Sequence, residues 1–81
     1  MYAMAAPDDQ VKQAVLETAR EYAAGRGWPW QTPVEVTLTR NAAPDDRQWT
    51  VKTNAFAAGR NARIVVRERD LVVIEAGYLA R

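Results

Sequence analysis

Side chains able to trade protons near neutrality are sparse in these 81 residues. Histidine and cysteine are both absent, which removes the commonest general base, the usual zinc ligand and any thiolate or disulfide. Carboxylates, Lys, Tyr and hydroxyls remain. Two adjacent acidic pairs stand out, Asp8/Asp9 and Asp45/Asp46. Paired carboxylates that work as acid and base need a deep cleft between them. Here each pair has a sufficient local reason to exist, the first turn of a helix for one and a turn for the other. No Gly-rich phosphate loop, nucleophile elbow or metal-ligand spacing appears. The sequence therefore predicts a non-catalytic protein with no cofactor and no metal.

Residues suited to contact are easier to find. Trp28-Pro29-Trp30 places two aromatic anchors on either side of a proline that limits the entropy lost on binding. The competing reading folds one or both rings back as a lid on the helix end and first strand, because a thin core recruits large aromatics. A second group gathers where strands turn their polar side outward: Glu35, Thr37, Thr39, Thr50, Lys52, Arg63, Val65, Arg67, Val73 and Glu75. This face reads either as ordinary solvated sheet or as a basic and aliphatic surface that receives a partner. Trp28, Trp30, Lys52, Arg63, Val65 and Arg67 are the candidate partner-binding residues.

The elements that must position these residues follow from periodicity. Pro7-Asp8-Asp9 opens a helix, and Val11, Ala14, Val15, Thr18, Ala19, Tyr22 and Ala23 share one face of it. Gly25 and Gly27 stop it, giving a helix over about residues 8–25. After the Trp-Pro-Trp connector the period changes to two. Val34–Thr39 and Gln48–Thr53 alternate, with the composition of a turn in Asn41–Asp46 between them. Asn54–Asn61 is a loop with Phe56 as its candidate anchor, Ala62–Arg67 is a third strand, and Leu71–Tyr78 is a fourth. Alternation in that last strand predicts Val72, Ile74, Ala76 and Tyr78 inward and Val73 and Glu75 outward. Short connections between consecutive strands favour an antiparallel meander. The predicted fold class is α+β, one N-terminal helix packed on a four-stranded antiparallel meander, with residues 1–7 a flexible segment and residues 8–81 a single domain.

The same residues resemble small cystatin-like and PepSY-like domains. The likeness rests on the helix-then-meander order, on Trp49-Thr-Val51, and on Ala62-Arg-Ile64-Val-Val66 followed by Leu71-Val-Val73-Ile-Glu-Ala76. It implies a helix packed on an antiparallel sheet and an inhibitory or partner-binding habit. The chain has no Gln-x-Val-x-Gly loop and carries Arg-Asp-Leu at its closing hairpin, so the resemblance transfers no functional residue.

Composition sets the remaining bounds. Alanine accounts for 15 of the apolar residues, so the larger apolar side chains suffice for one layer between helix and sheet. No run approaches the ~20 apolar residues of a membrane span, and no membrane partner is expected. Absence of cysteine is read as a cytoplasmic setting. Residues 1–46 carry a formal charge of −3 and residues 47–81 one of +4, a gradient that can steer association. The expected function is a protein-interaction module of inhibitor, immunity or adaptor type, binding another protein or a second copy of itself. The alternative is a nucleic-acid accessory protein using Arg60, Arg63, Arg67 and Arg69 in the basic half. Its weakness is the lack of aromatic residues at outward strand positions, where RNA-binding sheets stack bases.

Overall fold

The computed structural model describes residues 7–40 and 47–80. It contains one helix, α1 (Pro7–Arg26), and four strands, β1 (Glu35–Arg40), β2 (Arg47–Lys52), β3 (Asn61–Arg67) and β4 (Val72–Leu79). The strands form one antiparallel sheet in the order β1-β2-β3-β4, so the α+β meander expected from the sequence is present. The expected flexible segment at residues 1–7 (Pro7, the first helical residue, aside) and the turn at 41–46 lie outside the described residues.

Gly27 ends the helix. Its φ of 74° suits glycine, and two bonds close the end: Gly27 N–H to Ala24 O (3.1 Å) and Trp28 N–H to Ala23 O (2.9 Å). This is a Schellman arrangement. Gly25 lies inside the last turn. The helix buries Val15, Ala19 and Ala23 against Trp49, Val51, Ala62, Ile64 and Val66 of the central strands, with Val36, Leu38, Val73, Ala76 and Tyr78 packed around them. Small alanines on the helix let it sit close to a sheet whose own side chains supply the volume.

Two local devices shape the sheet. At the loop between β2 and β3, Thr53 N–H bonds Ala62 O (3.0 Å), and the Thr53 hydroxyl accepts from Ala62 N–H (2.9 Å). A side-chain oxygen thus stands in for a carbonyl, and the ladder ends without an orphaned buried donor. In β4, Val65 pairs with Glu75 whereas Val66 pairs with Val73, leaving Ile74 as the extra residue of a β-bulge.

That bulge corrects the expected facing of β4. One inserted residue reverses every side chain beyond it. Ala76 and Tyr78 face the core as expected, but Val73 joins them, while Val72 and Ile74 are exposed. Leu71, expected to begin the strand, instead sits in the hairpin turn with a φ of 56°, its N–H bonded to Arg67 O (2.8 Å).

Candidate functional site

The outer face is laid out by the register. Glu35, Lys52, Arg63 and Gly77 form one row across the four strands; Thr37, Thr50, Val65 and Glu75 form the next. Members of a row project to the same side, so they are neighbours. The expected basic and aliphatic patch is thereby assembled, but its members differ in availability. Val65 is only 5% exposed, which corrects its reading as an accessible aliphatic contact. Arg63 and Arg67 stand two residues to either side of it on β3 and are held by ion pairs. Arg63 Nη1 donates to Glu75 Oε1 at 2.8 Å, and Arg67 Nε and Nη2 grip the two oxygens of Asp70 at 2.9 and 2.8 Å. Aliphatic stems of tethered arginines shield apolar surface while their heads stay wet. Bidentate bonding to Arg67 is the chief cause that holds the Asp70 carboxyl below the ordinary aspartate range.

Trp28 and Trp30 are half-buried and pack against the core. The Schellman turn aims Trp28 back over the sheet, where it stacks on Tyr78 (ring centroids 6.0 Å, interplanar angle 23°) and tilts against Tyr22 (5.8 Å). The Arg26 guanidinium lies 5.3 Å from the Tyr22 ring centre and 5.9 Å from that of Trp28. The connector is sewn to the 54–60 loop by Asn54 N–H to Gln31 O (2.8 Å) and Ala55 N–H to Pro33 O (3.0 Å). Trp28 and Trp30 therefore complete the core's end, which answers to the lid reading of the connector.

Other residues carry the exposed apolar surface. Phe56, the candidate loop anchor, is 90% exposed and anchors nothing. The loop is instead held by Asn61, whose side-chain amide donates to Thr53 O (3.0 Å) and Asn54 O (2.7 Å), with a longer bond to Ala57 O (3.4 Å). On β4, Val72, Ile74 and Leu79 are 42%, 41% and 57% exposed. This strand pairs only with β3, so a line of backbone donors and acceptors on its far side is unpaired within the described sheet. Between the loop and the C-terminal half of β4 lies a groove of about 570 Å³, lined in part by Lys52, Ala57, Arg63, Gly77 and Leu79.

Among the described residues, no cluster of carboxylates has the spacing of a metal site, and no helix is long and apolar enough to cross a membrane. Asp9 is exposed on the first turn of α1; Asp45 and Asp46 lie outside the described residues. No protein-family model matches the chain, and neither a curated protein nor a solved structure matches it significantly.

Proposed function

We propose that the protein is a non-catalytic protein-interaction module whose partner adds to the free edge of β4 and lies against the adjoining outer face of the sheet. The observation that supports this is the exposure of Val72, Ile74 and Leu79 on a strand whose outer edge is unpaired within the described sheet. An edge that offers main-chain hydrogen bonds and apolar side chains together has the requirements of strand addition. Lys52 and Arg63, at the near end of the same face, keep the contact role expected for them. Trp28 supports the strand from behind by stacking on Tyr78, and Trp30 packs against the core beside it. Arg63 and Arg67 already engage carboxylates, which favours a protein partner over a phosphate backbone.

The test compares tagged wild type with Ile74→Glu and Leu79→Glu in recovery of bound proteins from the native host, with circular dichroism as the check on folding. Both side chains are exposed, so the fold is retained, and a charge on the edge opposes strand addition. Proteins recovered with wild type and lost from both variants support the reading. Sedimentation equilibrium of the purified chain covers the arm in which the partner is a second copy. Recovery unaffected by either substitution, with a monomer in the centrifuge, overturns it.

A further inference from the structure

We infer that the strand β4 accepts is an acidic one, with a carboxylate side chain opposite Gly77 that Arg63 receives in a groove to which Lys52 adds a second positive charge; this rests on the reading of β4 as the docking edge. The row Glu35, Lys52, Arg63, Gly77 ends at the sheet edge in a position without a side chain. A Cβ built on Gly77 meets nothing within 4 Å, so the glycine leaves open space in the row. That space belongs to the groove beside the 54–60 loop, whose lining includes two cations, Lys52 and Arg63, and no carboxylate.

Distance makes the vacancy useful. Neighbouring strands lie about 4.8 Å apart, so an added strand runs roughly 10 Å from β3. A glutamate on the added strand reaches inward over Gly77 while Arg63 reaches outward from β3, and between them they span that gap. Any larger residue at position 77 would fill it. Lys52 makes no ion pair among the described residues. Arg63 uses one Nη1 donor on Glu75, leaving others of its five N–H groups for a second acceptor. Its pair with Glu75 is well exposed on both sides, the kind that exchanges partners at little cost. Ala57, Ala58 and Leu79 supply apolar walls on the same groove, and side chains two apart on a strand share a face, so the ligand that fits is an extended peptide with aliphatic residues two positions from its carboxylate.

The experiment uses two fluorescein-labelled five-residue peptides, Val-Thr-Glu-Thr-Val and Val-Thr-Gln-Thr-Val, both blocked at their termini, in which the central residue and the two valines share one face. Binding is read by anisotropy at low and high salt, and location by amide chemical shifts. The glutamate peptide is expected to bind about tenfold more tightly than its glutamine counterpart, because charge-assisted hydrogen bonds exceed neutral ones by that margin. Salt erodes this advantage, and the amides of Gly77–Leu79 shift. Arg63→Gln and Lys52→Met each reduce the preference. Gly77→Val has room for its side chain, keeps the thermal midpoint, and loses about tenfold in affinity by blocking the gap. Equal binding of the two peptides with shifts along β4 overturns the acidic specificity and leaves the docking edge intact. Unchanged binding by Gly77→Val also overturns the inference. Neither peptide shifting any β4 amide overturns both the inference and the reading on which it rests.

Discussion

Asn61 is the sharpest place to perturb this molecule. It is 6% exposed, and its amide satisfies Thr53 O and Asn54 O at 3.0 and 2.7 Å. Asn61→Ala removes both bonds and leaves those carbonyls without that donor. At about 1 kcal/mol net for each bond, plus part of the desolvation cost of the groups left unmatched, the loss comes to about 2–3 kcal/mol. With a urea m-value of about 1 kcal/mol/M for a chain of this size, the unfolding midpoint falls by about 2–3 M. Asn61→Asp separates hydrogen bonding from shape. Near neutral pH it turns a carboxylate toward carbonyl oxygens and costs more than alanine does. Protonation restores one donor, so folding raises the new group's pKa above its unfolded value. Its stability is then greatest below the unfolded pKa and is lost as pH rises through the folded one. Urea melts of the three proteins across acid to neutral pH measure this directly. Two variants within about 0.5 kcal/mol of wild type, below the usual worth of one hydrogen bond, would refute the assignment of the loop's anchorage to Asn61. So would an Asn61→Asp protein whose pH profile parallels that of wild type.

Val65→Ala is expected to cost about 1.5–2.5 kcal/mol in the same melts, as two methyl groups leave a shielded site; a loss under about 0.5 kcal/mol, typical of a surface position, refutes the shielding. Arg60 has a φ of 58° and an exposed side chain, so Arg60→Gly should stabilise by about 0.5–1 kcal/mol through relief of left-handed strain. The Asp70 carboxyl, followed by NMR, should titrate below an ordinary aspartate and return toward the ordinary value in Arg67→Gln. Because its pKa is depressed in the folded state, the stability it contributes is present above the unfolded pKa and lost as pH falls through the folded one. Asp70→Asn should correspondingly flatten the acid limb of the stability profile.

The elements were legible because local chemistry and global fold agree in them. Gly27 supplies the left-handed residue that a Schellman end requires, and Val34-Glu-Val-Thr-Leu-Thr can bury only one face. The bulge was not legible, and the reason lies in Leu71-Val-Val-Ile-Glu-Ala. Four consecutive apolar residues satisfy either facing, so periodicity holds no trace of the inserted Ile74. The burial of Val65 was hidden for another reason. Val65 lies between Arg63 and Arg67 on one face of β3, and the carboxylates that tether those two, Glu75 and Asp70, sit on β4 and in its hairpin turn. Phe56 misled because large aromatics in loops so often reach a core. The buried Asn61 that does the tying reads in sequence as one more polar turn residue. Of the expected contact residues, Lys52 and Arg63 lie on the proposed docking surface. Other members of that proposed surface, Gly77 and Leu79 among them, come to face it only through the register of β4.

The bulge at Ile74 also bears on the tendency of an apolar edge to seed fibrils. An apolar edge strand is a template for open-ended stacking, and stacking segments need six or seven residues of uninterrupted pairing. Ile74 divides the edge of β4, leaving Glu75–Leu79 as its longest regular run. Five residues, with a glycine at their centre, fall short of the length a growing ladder needs. Deleting Ile74 would join the two halves, and the shortened chain should form thioflavin-positive aggregates sooner than its parent.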